Sequence, residues 1–493
     1  MTVTTSSSSL FTDHYPNETV AYDEVLSENN GIRPCYKPIV NHFTDLRSEG
    51  LMDRERRISG ALRDRGVTFQ SDAGQENPAA DTLSVDPLPR VIEPSEWDRH
   101  LKPGLIQRVR ALNLFLKDVY SDGKIIRDGV IPAELVLDND EFRRGLHGIT
   151  PPGNVYTHVA GIDLIRDEEG TYRVLEDNVQ VPSGVSYMLE NRRLLLETFP
   201  RLVNKSRLRS VDQYPDMLRR SLHSLMSAGR PNTNAVLLTP GPYNSAYFEH
   251  VFLAREMGVE LVKGDDLYVD DGRVWMDLPG DSRRVDIIYR RINTDFLDPA
   301  AFRSDSLLGV PGLIDAYRQG NVLIANAPGA GLADDKAIYS YVPDMISYYL
   351  KQDPILPNVR TYLGRDETDR QYIIDHVDEL TIKRVDEAGG HGMLIGPHAT
   401  VQERNSYLDA FREEPEKYIA QPTVQLSTHP CLVGECDRLE PRHIDLRPFV
   451  LVGSDGPSLA PGGLTRVAPD PDSLVVNSSQ GGSSKDTWVL NRS

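Results

Sequence analysis

The apolar positions change period along the chain, and those changes mark out its parts. Residues 1–20 are Ser/Thr-rich and predict a disordered tail. From Tyr22 to about Ile92, polar helical stretches are mixed with a loop, DAGQENPAADTLSVDPLPR. Leu105, Ile106, Val109, Leu112 and Leu116 then fall at helical spacing, after Pro103–Gly104 and before the Ser121–Asp122–Gly123 turn. That stripe predicts an amphipathic helix whose apolar side faces a core. Two alternating runs, VYTHVAGIDLIRD and YRVLEDNVQ, are joined by Glu168–Glu169–Gly170 and predict a β-hairpin. Helical stretches beginning at ENRRLLLETFPRLV lead on to about Gly229.

From Asn234 the texture alters. NAVLL, FLAREMGVELV, VDIIYRR and NVLIANA supply strands separated by helical segments, and TPGPYNSAYFEH is a loop opening a helix. This predicts a parallel α/β unit over roughly 234–330, with ligands gathering beyond the C-terminal ends of its strands. From Leu380 the runs ELTIKRV, GMLIG, YIAQPTVQL, HIDLRPFVLVG, LTRVA and SLVVNSS predict a β-rich region. The tail QGGSSKDTWVLNRS is expected to fold back into a site. No internal repeat is visible.

A chain of 493 residues, 39% hydrophobic and 26% charged, predicts two to four packed units. Cys35, Cys431 and Cys436 make neither a disulfide framework nor a zinc pair, and read as packing residues in a reducing compartment. The N-terminus lacks a signal-peptide pattern, and no apolar run reaches the ~18–20 residues of a membrane span, so a soluble, cytoplasmic protein with no membrane partner is expected. The net charge of −19 argues against nucleic acid as a partner. It does not argue against a nucleotide, which needs only a few well-placed cations.

The candidate chemistry begins on the hairpin. Glu176 and Asn178 are two apart on a strand and face the same side, while Asp177 points away. Asp163 on the neighbouring strand can complete an all-oxygen cluster suited to Mg²⁺. A solvated acidic turn would read the same way from the acidic residues alone. Lys383 lies inside an apolar strand and is followed by Gly389, Gly390 and Gly392, whose N–H groups can close over phosphates. A glycine hairpin with an outward lysine is the plainer alternative. Lys336 follows the glycines of NAPGAGLADDK at a helix start, where Asp334 and Asp335 are suited to capping. Arg442, Arg447 and Arg466 offer guanidiniums for carboxylate or phosphate, and Asn477, Ser478, Ser479 and Gln480 form a polar loop before Gly481–Gly482. Any one of these arginines taken alone reads as a strand surface residue. In and beside the α/β unit, Ser183, Asn244, Tyr247, Glu249, Arg290 and Arg291 are candidate substrate contacts. His250 follows Glu249, but adjacent helical residues do not face each other, so it reads as a capping or packing histidine. No G-x-S-x-G, HExxH or GxGxxG motif supports a hydrolase, zinc protease or dinucleotide enzyme.

Taken together, VLEDNVQVPSGVSYMLENR, LTPGPYNSAYFEHVFLAREMG, NAPGAGLADDKAIYSYVP, RHIDLRPFV and LVVNSSQGGSSKDTWVL resemble the circularly permuted ATP-grasp proteins of type 2. The family is similar in turn to glutathionylspermidine synthetase. The resemblance implies a mixed α/β fold: a circularly permuted ATP-grasp with a Rossmann-like pre-ATP-grasp domain and a helical N-terminal region. The expected parts are a helical region at 21–150, a permuted ATP-grasp part with the metal hairpin at 151–230, a Rossmann-like substrate domain at 231–335, and a nucleotide-binding part with the C-terminal tail at 336–493. It also implies Asp163, Glu176 and Asn178 as magnesium ligands, with Lys336 and Lys383 on the nucleotide phosphates. Gln421 is expected near the adenine-side hinge strand, and Gly389, Gly390, Gly392 and Arg447 complete the expected ATP site. The synthetase carries an arginine two residues before its first metal aspartate, where this chain has Gly161. Arg166, Arg291 and Arg466 are therefore candidates for acyl transfer. The implied activity is ATP- and Mg²⁺-dependent joining of a small-molecule or peptide carboxylate to an amine through an acylphosphate. A regulatory ATP-binding module acting with partner proteins and a small-molecule kinase are the alternatives.

Overall fold

The hairpin predicted from alternation is the strand Val159–Arg166 paired antiparallel with Tyr172–Asn178, Asp163 lying directly opposite Glu176. The computed structural model describes residue 15 and residues 21–29, 31–68, 84–226, 232–385, 392–433, 438–476 and 481–492. The expectations for the 1–20 tail (Tyr15 apart) and for Gly389, Gly390, Cys436, Asn477, Ser478, Ser479 and Gln480 lie outside the described residues. In the hairpin turn, Asp167 accepts from the backbone N–H groups of Glu169 and Thr171. Gly170 adopts φ +79°, and a Cβ there would stand 2.5 Å from the ring of Tyr22. The hairpin is extended into a four-stranded sheet by Phe449–Gly453, antiparallel to Val159–Arg166, and then by Gly456–Leu459. A strand from the far end of the sequence thus completes the sheet of the hairpin.

The predicted amphipathic helix is Lys102–Val119, and it buries Leu105, Val109, Leu112, Phe115 and Leu116. Gly104 lets Leu356 approach so closely that a Cβ would stand 2.5 Å from it. Strands Ala235–Leu238, Glu260–Val262, Ile287–Arg290 and Leu323–Ala325 form one wholly parallel sheet, as the strand–helix alternation predicts. Inserted in it is a three-stranded antiparallel sheet, Leu267–Asp270, Arg273–Leu278 and Asp281–Val285, that the sequence reading passed over. Its first turn, Asp271–Gly272, has positive φ at both residues, the usual chemistry of a tight hairpin.

A second antiparallel sheet is ordered Tyr362–Leu363, Tyr418–Pro422, Leu380–Arg384, Leu394–Ile395. It has a core of its own, in which Ile373, Ile382, Leu408, Phe411 and Ala420 are packed apart from the main apolar cluster.

Two stretches differ from the pattern reading. The end of the expected loop is a strand, Val85–Ile92, parallel to Ser483–Val489. Pro87 and Pro89 fall in the gap of that register between Asp86 and Arg90, where the ladder is already interrupted, so their missing N–H groups cost little. SLVV, expected to be a strand, is irregular at residues 473–476. Its apolar residues are used instead to line a cavity. Among the described residues, no helix is long and apolar enough to cross a membrane.

Candidate functional site

A cavity of about 300 Å³ is lined by the hairpin on one side and by the sheet bearing Lys383 on the other. Asp163, Glu176 and Asn178 reach it from the hairpin, and Lys383 and Gln421 from the sheet. Lys336, Arg384, Asp445, Arg447 and Arg466 add further charged groups to its wall, with Thr381 and Thr423. Leu175, Val359, Ile395, Leu426, Leu474 and Val476 are among its apolar residues.

The register explains the hairpin face. Asp163 stands opposite Glu176, and Gly161 opposite Asn178, so two carboxylates and an amide share one side. Asp177 faces the other side, where Arg108 donates from Nε and Nη2 to its two oxygens at 2.6 Å each. Asp163 is buried, and Arg447 binds both its oxygens at 2.5 and 2.7 Å while Arg466 adds a contact of 2.7 Å. Burial alone would raise the Asp163 carboxyl, but the guanidiniums of Arg447 and Arg466 hold it down at about 2. Lys383 donates from Nζ to Oε1 of Gln421 at 2.9 Å, and Gln421 donates from Nε2 to Oγ1 of Thr361 at 3.1 Å. Burial pulls the Lys383 amine down to about 8; the Glu176 carboxylate opposes that shift and the Lys336 charge adds to it. The site therefore joins anion-seeking amines and guanidiniums to a small oxygen-rich face.

Lys336 is the first residue of the helix Lys336–Ser340. Asp335 caps that helix, accepting from the N–H groups of Ala337 and Ile338 at 2.7 and 3.0 Å. Asp334 does not cap it. Its carboxylate accepts from the N–H groups of Val179 and Gln180 instead, tying the Lys336 turn to the end of the hairpin strand.

Other candidates lie elsewhere. Arg166 is not among the cavity residues; it pairs with Glu96, donates to the Gly170 carbonyl at 2.8 Å and stacks on Tyr22 and Tyr172. Arg291 is buried against Glu249 at 2.9 Å and also donates to Oγ of Ser183 and to the Pro182 carbonyl, each at 2.7 Å. Glu249 further accepts from the N–H groups of Gly184 and Ser186. Arg290 donates to the carbonyls of Asn326 and Ile292 at 2.7 Å. Asn244 and Tyr247 line a separate cavity of about 540 Å³, together with Arg65 and Glu190. Gly392 accepts at its carbonyl from the Tyr407 hydroxyl at 2.6 Å, and its neighbour Met393 reaches the first cavity. Arg442 pairs with Glu440 at 2.8 Å. His250 is buried with Nδ1 2.9 Å from Oγ1 of Thr239, and burial with the nearby Arg291 charge pushes its ring down to about 2. That is a packing role. The C-terminal tail does fold back, but as the central strand of a sheet, with Lys485 buried on Asp86 at 2.5 Å and outside the cavity lining.

Asp445, Arg384, Thr381 and Thr423 line the cavity without having been singled out in the sequence, and Thr361 holds Gln421. Asp445 lines the cavity and grips Arg466. In HIDLRP it lies two residues before Arg447, and the rule that pairs Glu176 with Asn178 could have found it.

Among the described residues, no group of three His, Cys, Asp or Glu side chains forms a metal cluster. The hairpin offers two carboxylates and one amide, a donor set suited to a hard cation that takes its other ligands from phosphate and water. Nδ2 of Asn178 is buried with no hydrogen-bond partner among the described residues, so nothing there pins the amide against presenting its oxygen to the cavity. The donor types fit Mg²⁺, with both Asp163 oxygens held in this structure by Arg447 and Arg466.

A family model described as circularly permuted ATP-grasp type 2 matches residues 89–468. The chain is 50% identical over 475 residues to the uncharacterized protein sll0335 of Synechocystis sp., covering 95% of this chain and 97% of that one. It is 40% identical over 474 residues to a Frankia alni protein named "Putative glutamate--cysteine ligase 2-3". That match covers 96% of this chain but 54% of the relative, so the chain spans about half of that protein. Among solved structures, a glutathione synthetase-like effector of Globodera pallida superposes with a TM-score of 0.59, over 90% of this chain and 98% of that one. At 10% identity this likeness concerns the fold alone.

Proposed function

This chain belongs to the circularly permuted ATP-grasp type 2 family and is an ATP-grasp carbon–nitrogen ligase, and from that premise we propose that it makes an amide through an acylphosphate with Mg²⁺ on its hairpin. The single observation carrying this reading is convergence: Lys336, Lys383 and Gln421 meet Asp163, Glu176 and Asn178 around one cavity, though they are scattered over the sequence. The amino-acid ligase name of the Frankia alni relative supports an amide product.

In this reading the adenine lies against the apolar wall, and Lys336 and Lys383 receive the phosphates. Asp163, Glu176 and Asn178 would hold Mg²⁺, which when bound would neutralise phosphate charge. Arg447 and Arg466 face the charge that develops as a substrate carboxylate oxygen attacks the γ-phosphorus and the β–γ bridging bond breaks to release ADP. An amine then attacks the acylphosphate carbon, phosphate leaves, and the amine loses a proton. No covalent protein nucleophile is required. Arg291 acts from a distance, by holding the Ser183 loop.

The test is incubation with ATP, Mg²⁺ and pools of amino acids, peptides and polyamines, following ADP and new masses. The expected product is an amide formed one-for-one with ADP. Nucleotide binding without turnover would favour a regulatory module, and a phosphorylated product without amide a kinase. Glu176→Ala is expected to abolish turnover, and full turnover in that variant would overturn the metal assignment.

A further inference from the structure

Two guanidiniums share the Asp163 carboxylate, but they are held differently. Arg466 contacts Asp163 at 2.7 Å and is gripped from behind by Asp445, whose oxygens each accept from Nε at 3.0 Å and which also contacts Nη2. Asp445 is itself anchored: its carbonyl accepts from Nη1 of Arg90 at 2.8 Å, and Arg90 is locked to buried Glu24 at 2.5 and 2.7 Å. Arg447 has no such backing. Beyond Asp163, the remaining hydrogen bond of its guanidinium among the described residues is to the Ser183 carbonyl at 3.3 Å. Asp163 is the carboxylate with which it pairs.

The consequence follows from the cost of a buried unpaired charge. If Arg466 left its place, Asp445 would be stranded without its guanidinium. If Arg447 left, its two bonds to Asp163 and the long bond to the Ser183 carbonyl would be lost, but Asp163 would still be paired with Arg466 and no carboxylate would be stranded. We infer that Asp445 is a positioning residue: it fixes Arg466 in the cavity wall, and so makes Arg447 the guanidinium that leaves Asp163 to take a phosphate oxygen of the nucleotide. The inference rests on the ligase reading for the identity of the anion.

The test is calorimetric binding of a non-hydrolysable ATP analogue with Mg²⁺, paired with thermal unfolding of each variant. Asp445→Asn is expected to weaken analogue binding about tenfold, the scale of one misplaced charge-assisted hydrogen bond. Added to Arg466→Lys, the same change is expected to weaken binding less than about twofold, since the group it positions is already altered. Arg447→Lys is expected to lose about tenfold in affinity with little change in melting temperature, whereas Arg466→Lys lowers the melting temperature as well. Those last two variants decide the matter if Asp445→Asn does not fold. Wild-type affinity in Asp445→Asn with only a lowered melting temperature, equal weakening in both backgrounds, or wild-type affinity in Arg447→Lys would overturn the inference. Failure of the ligase reading is seen separately. Wild-type protein that binds the analogue yet forms no amide sinks that reading and leaves the coupling measurable, and wild-type protein that binds no nucleotide sinks both.

Discussion

Arg108 and Asp177 form a closed pair behind the hairpin, with side chains 1% and 0% exposed and two contacts of 2.6 Å. The pair fixes which face of the strand turns to the cavity, because Glu176 and Asn178 must face away from it. Breaking it leaves a buried carboxylate without its partner. Arg108→Met is expected to destabilise the protein by about 3–5 kcal/mol. Urea unfolding measures this, and a loss below about 1 kcal/mol would show that the pair does not fix the hairpin.

Lys383 carries a different expectation, since its amine faces a cavity and an amide rather than a carboxylate partner. Burial already pulls its pKa down to about 8, so the folded chain gains little from its charge. Lys383→Met is therefore expected to keep or raise thermal stability while lowering ATP turnover about 10²–10³-fold, as for removal of one transition-state donor. ADP release at saturating ATP reads the second effect. Turnover within about threefold of wild type would remove Lys383 from the phosphate site.

Much of this arrangement was legible in the sequence, for identifiable reasons. The period of two placed Glu176 and Asn178 on one face and Asp177 on the other; the register puts Asp163 opposite Glu176. The period near 3.6 marked the helix Lys102–Val119. What pattern could not supply was tertiary partnership. Arg166 and Arg466 look alike in sequence, yet one stacks on Tyr22 at a hairpin turn and the other lines the cavity. Glu249 and Arg291 looked like substrate contacts because buried ion pairs and binding residues use the same side chains; here they close on each other and on the Ser183 loop. The strand Val85–Ile92 was hidden by Pro87 and Pro89, whose effect depends on a partner strand near the far end of the chain. The place of SLVV was hidden because an apolar run can line a cavity as well as pair in a ladder.

The acid side of the stability curve is expected to carry a histidine signature. His158 is fully buried, and burial together with the Arg290 charge pushes its ring down to about 3. In the unfolded chain it protonates near 6.5, so between about pH 6.5 and 3 the unfolded state binds the extra proton and stability falls with falling pH. The slope is about 1.4 kcal/mol per pH unit for one such group. His158→Leu is expected to lose about 2 kcal/mol less than wild type between pH 7.5 and pH 5. Denaturant curves at the two pH values test this. Equal losses would mean that the ring is protonated in the folded protein.

Glu24 ties the N-terminal segment to the cavity wall. Its carboxylate is buried, takes Arg90 at 2.5 and 2.7 Å and accepts from the Ser427 hydroxyl at 2.9 Å. Burial would raise it, but Arg90 and then Arg166 hold it down at about 2. Its backbone N–H donates to the Thr428 carbonyl, and the Thr428 N–H donates to the Tyr22 carbonyl, so two backbone bonds tie the segment to Thr428. Arg90→Met removes the guanidinium hydrogen-bonded to Glu24, leaving Arg166 at 3.9 Å, and is expected to cost about 3–5 kcal/mol. Neutralising the stranded carboxylate should return part of that loss, so Arg90→Met with Glu24→Gln is expected to be more stable than Arg90→Met alone. Because Arg90 also holds the Asp445 carbonyl, both variants are expected to bind the ATP analogue more weakly, even when compared as fully folded protein at low temperature. If the double variant regains stability but affinity stays low, the Arg90–Asp445 bond and the Glu24 pair are separable. If affinity returns together with stability, the segment acts on the cavity only through the overall fold.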